Sequence, residues 1–289
     1  MMSRYITMLS FLLVGAASFI ACESTPSDPN DNPASQQMSF KAGSSYEYTS
    51  YSTDPSTAEK ISATERNRRL TLVNTSISAY GKTGVALYLD SILTLGGIVD
   101  VVDSVYLQQQ AGTNDIFRYA SVAPELDFSV IGEVDLGRDW MHEARLGSSS
   151  ARWFVGSAKD TLAYDAGFPA VTTKGLELSV VDSVVASSVE NLTIDGKQYA
   201  TTKTTHNIRL SLTILLETEQ FGQKITVPLE VKSVTLQRFS WISAELGAVV
   251  REEREGTVID ATVEFGGSQQ GVNIPVPGYF SEMTQVISN

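Results

Sequence analysis

From about residue 45 onward, apolar and polar residues alternate at every second position, and helical periodicity of any length is absent. The clearest run places Ile208, Leu210, Leu212, Ile214 and Leu216 on one face and Asn207, Arg209, Ser211 and Thr213 on the other. After Gln220-Phe221-Gly222-Gln223 the alternation resumes through Ile225, Val227, Leu229 and Val231. This predicts a long antiparallel hairpin with one buried and one wet face. Pro228 offers no N–H to a ladder, so its strand is expected at an edge or locally broken. Asp195-Gly196 is a two-residue turn signal between Leu192-Thr193-Ile194 and Lys197-Gln198-Tyr199.

The remaining strands are shorter. Tyr46, Tyr48 and Tyr51 belong to a first aromatic strand. Asp54 to Glu59 suits a short capped helix, since Ser56 precedes Glu59 by three places, or equally a long loop or edge strand. Leu70, Leu72, Ile77 and Ala79 read as a strand with a phase slip near Asn74, the mark of a bulge. Gly81-Lys82-Thr83-Gly84 turns into Val85, Leu87 and Leu89. Val99 to Gln109 and Ile116 to Val122 flank a hairpin turn at Ala111-Gly112-Thr113-Asn114. Leu126, Phe128 and Val130 alternate again, and Trp140 and Trp153 bracket the polar loop Gly147 to Ser150. Ala248 to Arg254 and Val258 to Phe265 are expected to pair through a turn at Gly256. The fold class is mainly β and antiparallel, an open or closed barrel or a sandwich, with few or no helices. No fixed-period repeat supports a propeller or solenoid. One continuous domain over residues 38–289 is favoured, with a candidate internal boundary at Ala166-Gly167-Phe168-Pro169 near 167.

The first residues follow another pattern. Arg4 is the only charge before Cys22, Ile6 to Val14 are mostly apolar, and Gly15 to Ser18 are small, as in a secretory signal over residues 1–21. The apolar run from Tyr5 to Ala21 is short for a spanning helix, which needs ~20 residues. Residues 22–37 then hold three prolines and three acidic residues, and nothing apolar larger than alanine follows Cys22 there. That composition cannot bury a core and is expected to form a disordered tether. The carboxylates of Asp28 to Asp31 lack the turn glycine and distal glutamate of a calcium loop.

Cys22 is the only cysteine, so no internal disulfide can form. Phe19-Ile20-Ala21-Cys22 resembles the lipobox of bacterial lipoproteins, Leu-Ala/Ser-Gly/Ala-Cys, with Phe19 in place of the usual leucine. The rival reading is cleavage after Ala16-Ala17-Ser18, which would leave a soluble protein with a free thiol. The resemblance implies lipid on Cys22 and a membrane partner through that lipid, with a palmitate-type acyl anchor. Several acyl chains hold far better than one, at about 0.8 kcal/mol per buried methylene. Glu23, where an inner-membrane retention signal carries aspartate, makes the outer membrane the favoured location by the same resemblance.

Three further segments are similar to uncharacterised envelope lipoproteins of Bacteroidetes-type bacteria. They are Phe40 to Tyr48, with its Gly-x-x-Tyr-x-Tyr pattern, Asp195 to Tyr199, and Trp241 to Arg251. The resemblance implies a β domain in the cell envelope and no particular activity.

The chain of 289 residues carries 21 basic and 33 acidic residues, a net charge of −12. Such a field repels phosphate backbones, so no nucleic-acid partner is expected. No Gly-x-Ser-x-Gly elbow, HExxH, CxxC or phosphate-cradling loop occurs, so catalytic, metal and cofactor sites are all expected to be none. His206 continues the Ile208 to Leu216 face and reads as a core-edge histidine, and His142 as an ordinary surface one. Glu217 and Glu219 share a strand face about 7 Å apart, a spacing glycosidases use, but beside a turn they read as a solvated pair. Arg251-Glu252-Glu253-Arg254-Glu255 reads as a self-neutralising run on an exposed hairpin. The expected function is a non-catalytic, lipid-anchored envelope protein with a binding or structural β domain. The alternatives are a carrier of an apolar ligand, resembling half-barrel carriers of the LolA and LolB type, and a secreted glycan hydrolase.

Overall fold

The computed structural model describes residues 36–94, 97–122, 134–163, 172–265 and 267–287. The signal segment, Cys22, most of the tether, the Leu126 to Val130 alternation and the boundary at 166–169 lie outside the described residues. In the first half, β1 (Ser45–Thr53), β2 (Arg66–Ala79), β3 (Lys82–Thr94), β4 (Gly97–Gln109), β5 (Asp115–Ala120), β6 (Asp139–Arg145) and β7 (Trp153–Leu162) follow in turn. The second half holds β8 (Thr172–Ile194), β9 (Lys197–Gln220), β10 (Gln223–Ser243), β11 (Ala248–Arg254), β12 (Thr257–Phe265), β13 (Ser268–Val276) and β14 (Gly278–Ile287). Among the described residues the only helical element is a turn of 3-10 helix at Ser62–Thr64.

Twelve strands form one antiparallel sheet in the order β6-β5-β4-β3-β2-β1-β14-β11-β10-β9-β8-β7, and β12 and β13 form a separate pair. The large sheet curls into a nearly closed barrel, which settles the choice among barrel, open sheet and sandwich. Its end strands, β6 and β7, meet through side chains. Trp153 Nε1 donates to the His142 carbonyl at 2.7 Å, and the two rings stack at 4.7 Å.

The long hairpins form as their alternation predicts. Ile194 pairs with Lys197 across Asp195-Gly196, and Gln220 with Gln223 across Phe221-Gly222. In both turns the two central residues have positive φ, 49° and 74° in the first, 53° and 76° in the second. These angles match the right-handed twist of the flanking strands. The β2–β3 turn has the same form but falls at Tyr80-Gly81, one residue before the expected segment, with Ala79 opposite Lys82. The phase slip is real, since the register shifts between Leu72 and Asn74. The segment around Pro228 is an edge, because β11 pairs only with the Arg238 to Ser243 end of β10.

One expected hairpin is absent. β11 does not pair with β12: it lies between β10 and β14, while β12 pairs with β13. Gly256 therefore leads out of the barrel into an inserted hairpin. The insertion has a clear packing role. Ile259, Val263, Val272, Ile274 and Val276 join the same apolar cluster as the inner face of β8, β9 and β10. That cluster includes Leu178, Leu210, Leu212 and Ile214, all fully buried. Each such side chain contributes about 1.5–3 kcal/mol on leaving water.

A second cluster fills the opposite end of the barrel, around Tyr46, Leu72, Tyr88, Leu107 and Ile242. Here the β10–β11 turn folds inward and is held by tyrosines. Tyr46 and Tyr88 donate to the carbonyls of Leu246 and Gly247, both at 2.5 Å, and Tyr48 donates to that of Val249 at 2.7 Å. The chain leading to β1 docks at the same end. Ser39 N donates to the Ala244 carbonyl at 2.8 Å, and Gln36 N to Asn114 Oδ1 at 3.0 Å.

Candidate functional site

Between the two apolar clusters the inner face of the barrel turns polar. Read along β8, the inward residues are Leu176, Leu178, Val180, Asp182 and Val184; along β10 they are Leu236, Arg238 and Ser240. The same interruption occurs on β6, where Glu143 separates Met141 from Ala144, and on β9, where Thr204 and His206 precede Ile208. Cross-strand register brings these interruptions to one level. Ser240 lies opposite Thr204 on one side and Glu252 on the other, and Glu252 lies opposite Ser281.

Arg238 is the hub of the resulting belt and is 1% exposed. Its guanidinium bonds to Glu143 and lies 3.5 Å from both Asp182 and Glu252. Arg118 reaches the same acids, at 2.9 Å to Glu252 and 3.6 Å to Glu143. Further round, Arg68 forks onto both oxygens of Asp90 and donates to Tyr279 Oη at 3.3 Å. Arg254 is also turned inward, donating to the carbonyls of Pro277 at 2.7 Å and Glu255 at 3.2 Å. Arg68, Arg118 and Arg238 thus pair with four carboxylates, Asp90, Glu143, Asp182 and Glu252, and His206 also stands against Asp182. Buried charge is tolerable only under such pairing. Burial raises the Glu143 carboxyl, but Arg118, Arg238 and His206 outweigh it and hold the group at about 2. Burial works against the Arg68 charge too, and the Asp90 fork overcomes it, so its pKa ends above the ordinary value.

This belt corrects two sequence expectations. The Arg251 to Glu255 run is not a self-neutralising exposed hairpin: it alternates across the barrel wall. Glu252 and Arg254 point inward to the belt, while Arg251 and Glu253 pair on the outer face. His206 is not at a core edge but fully buried, with Nδ1 at 3.1 Å and 3.2 Å from the Asp182 oxygens and Nε2 at 3.0 Å from Thr204 Oγ1. A hydroxyl, an imidazole and a carboxylate therefore stand in line, the order that nucleophilic catalysis uses. All three side chains are sealed, with Asp182 1% exposed and Thr204 0%.

His142 is no ordinary surface residue either. It is half-buried between Phe117 at 4.9 Å and Trp153 at 4.7 Å, and its Nε2 lies 3.1 Å from Asp115. Burial pushes its pKa down against the pull of Asp115. Glu217 bonds to Lys224 at 2.7 Å and pairs with Lys174 at 3.3 Å. The Lys224 hydrogen bond is the main reason its carboxyl titrates below the usual range. It is neutralised by lysines rather than held as half of an acid–base pair with Glu219. Cys22, the lipid-attachment residue expected from the sequence, lies outside the described residues.

Two small cavities open beside the belt, of about 80 and 320 Å³, and both are lined by Arg68, Asp90, Val105, Arg118 and Glu252. Apart from Glu252, read within the Arg251 to Glu255 run, none of these residues stands out singly in the sequence. The available signal was their phase: Asp182, Arg238 and Glu143 each occupy an inward position of an otherwise apolar alternation.

No protein-family model matches the chain, and no curated protein matches it in sequence. Among solved structures it is similar to the crystal structure of a candidate lipoprotein from Parabacteroides distasonis. The identity is 10% and the TM-score 0.44, over 86% of this chain and 97% of that one. Likeness of that degree leaves the functional reading to the residues themselves.

Proposed function

We propose that this chain is a bacterial envelope lipoprotein, held by lipid on Cys22, whose β domain acts by binding rather than by catalysis. The observation that carries the reading is the position of the sole cysteine, at the end of an apolar run and inside a lipobox-like Phe19-Ile20-Ala21-Cys22. Glu23 favours the outer membrane. The domain's first described residues, Gln36 to Phe40, already dock on the barrel, so an anchor at Cys22 leaves the folded part whole. The non-catalytic half of the reading is supported by the burial of the Thr204–His206–Asp182 line, which gives a substrate no approach to the hydroxyl. The inner faces of β8 to β10, which an apolar-ligand carrier would offer to its cargo, are packed against β12 and β13.

The test is Cys22→Ala expressed in a Gram-negative host fed a labelled fatty acid. The wild-type chain should take up label and sediment with outer membranes. The variant should take up none and appear in the soluble fraction. A variant that stays membrane-bound and labelled refutes the reading.

A further inference from the structure

The outer wall of the barrel carries an aromatic row unconnected with the belt. Register sets Tyr106 of β4 beside Tyr119 of β5, and Tyr119 beside Trp140 of β6, all three half-buried. Their chain neighbours Leu107, Ala120 and Met141 are buried within, so the row faces outward. The β2–β3 turn bends over it. Tyr80 lays its ring flat on Tyr119, with centroids 3.7 Å and planes 8° apart, and Trp140 Nε1 donates to the Tyr80 carbonyl at 3.0 Å. The Tyr80 hydroxyl is hydrogen-bonded to Tyr106, whose ring stands edge-on at 5.1 Å. These contacts hold Tyr80 at φ 48°, where a tight turn ordinarily takes asparagine or glycine.

Two phenols stacked in this way are placed for one particular reaction. Phenoxyl radicals couple through the ring carbons ortho to the oxygen, and coupling needs those carbons face to face. Tyr80 and Tyr119 meet that need, whereas Tyr106 presents an edge to both, at 89° and 87°. Tyr80 is 54% exposed, so an oxidant reaches it from solvent, and at the tip of a two-residue turn its ring has room to pivot. Other tyrosines are differently placed. Tyr46, Tyr48 and Tyr88 are buried with their hydroxyls given to backbone carbonyls, Tyr199 is buried, and Tyr51 stacks on Phe280. Trp140 is a poor seat for the radical, because Lys82 Nζ stands 4.9 Å from its ring centroid and opposes a positive hole there. A tyrosine sheds its proton on oxidation and stays neutral.

We infer that Tyr80 and Tyr119 form a site of oxidative cross-linking, joined as dityrosine by a one-electron oxidant of the peroxide–peroxidase class. Each phenol gives up one electron and its hydroxyl proton. A carbon–carbon bond then forms between the two ortho positions, and each ring regains its hydroxyl as the ortho hydrogen leaves. The sum is a loss of two hydrogen atoms, taken up by one hydrogen peroxide to give two waters. The product ties the β2–β3 turn to β5 across β4. A chain with a single cysteine has no internal disulfide, and this bond supplies the covalent closure that proteins outside the cytoplasm commonly carry. The chemistry goes beyond the proposed binding role and does not depend on the anchor.

The test treats the full chain, dilute in detergent, with hydrogen peroxide and a haem peroxidase, followed by trypsin and mass spectrometry. Tyr80 is the only tyrosine of the tryptic peptide Leu70–Lys82, and Tyr119 the only one of Tyr119–Arg138. Those two peptides should appear joined, lighter by two hydrogens than their sum, with fragment ions placing the link on Tyr80 and Tyr119. Dityrosine fluorescence should run with the monomer on a denaturing gel. Tyr80→Phe and Tyr119→Phe each keep the stacked ring and should abolish the joined species, while Tyr51→Phe should leave its yield unchanged. The treated wild type should unfold roughly 5–10 °C above the treated Tyr80→Phe chain, as expected for closing the loop between the two tyrosines. The inference is overturned if no dityrosine forms, if it forms without joining these two residues, if it joins only separate chains, or if Tyr80→Phe retains the joined product. None of these variants affects fatty-acid labelling at Cys22, so the two readings fail separately.

Discussion

Replacing Arg238 with methionine removes the hub of the inner belt and leaves Glu143, Asp182 and Glu252 around an apolar side chain. Breaking one partner out of a buried charge network costs about 3–5 kcal/mol, because Arg118 and His206 alone are left to compensate the three buried carboxylates. In a chain of this size that corresponds to a fall in Tm of roughly 10 °C. The pH dependence follows from Glu143. In the wild type its carboxyl sits at about 2 against an ordinary 4.5. At 1.36 kcal/mol per pH unit the difference is about 3 kcal/mol of stability, complete above roughly pH 4.5 and lost as the pH falls through 2. Without Arg238 only Arg118 and His206 still oppose burial at Glu143, so its carboxyl rises from about 2 and the variant carries less of that stability at pH 7. Urea unfolding followed by tryptophan fluorescence at pH 7, 5 and 3 reads both effects. The variant should be several kcal/mol weaker at pH 7, and the gap to wild type should hold down to about pH 4.5 and narrow below it. A variant within about 1 kcal/mol of wild type at pH 7, or a gap of constant size, would refute the electrostatic account of the belt.

Two other substitutions probe the backbone. Phe221 is 98% exposed at the tip of the β9–β10 turn with φ 53°, a conformation that asparagine adopts at lower cost than phenylalanine. Phe221→Asn should therefore raise stability by about 0.5–1 kcal/mol, seen as a higher urea midpoint with unchanged slope. Gly247 has φ 68°, and a Cβ there would meet the Ser39 carbonyl oxygen at 2.6 Å. Gly247→Ala should cost about 1–2 kcal/mol and free the Gln36 to Phe40 segment, read as faster proteolysis ahead of β1 with the barrel intact.

The long strands were legible because a single rule, alternation, governed them over twenty residues or more. The β8–β9 and β9–β10 turns and the Pro228 edge followed from backbone chemistry alone. The failures came where partner choice, not local conformation, decided the outcome. Ala248 to Arg254 reads as one arm of a hairpin, yet β11 finds better partners in β10 and β14, which flank it in the large sheet. The Arg251 to Glu255 run misled for a related reason. Its charges look exposed until the alternation is carried through them, and then every second one points into the barrel. Tyr80 and Phe221 mark a further limit. Both sit where asparagine or glycine would be expected, but Tyr80 stacks flat on Tyr119 at 3.7 Å, while no contact in the structure explains Phe221.

The docking of Gln36 to Phe40 also has a mechanical meaning. A pull on the chain ahead of Gln36 reaches the Gln36–Asn114 and Met38–Gln109 bonds first, then Ser39–Ala244, and then β1, which lies inside the sheet with β2 on one side and β14 on the other. Drawn along its own axis, β1 would have to slide past both neighbours, loading nine paired positions with β14 and six with β2 together rather than peeling them one by one. Strands sheared in this way resist force far better than strands unzipped from an edge. The barrel therefore takes tension at a strand braced on both sides.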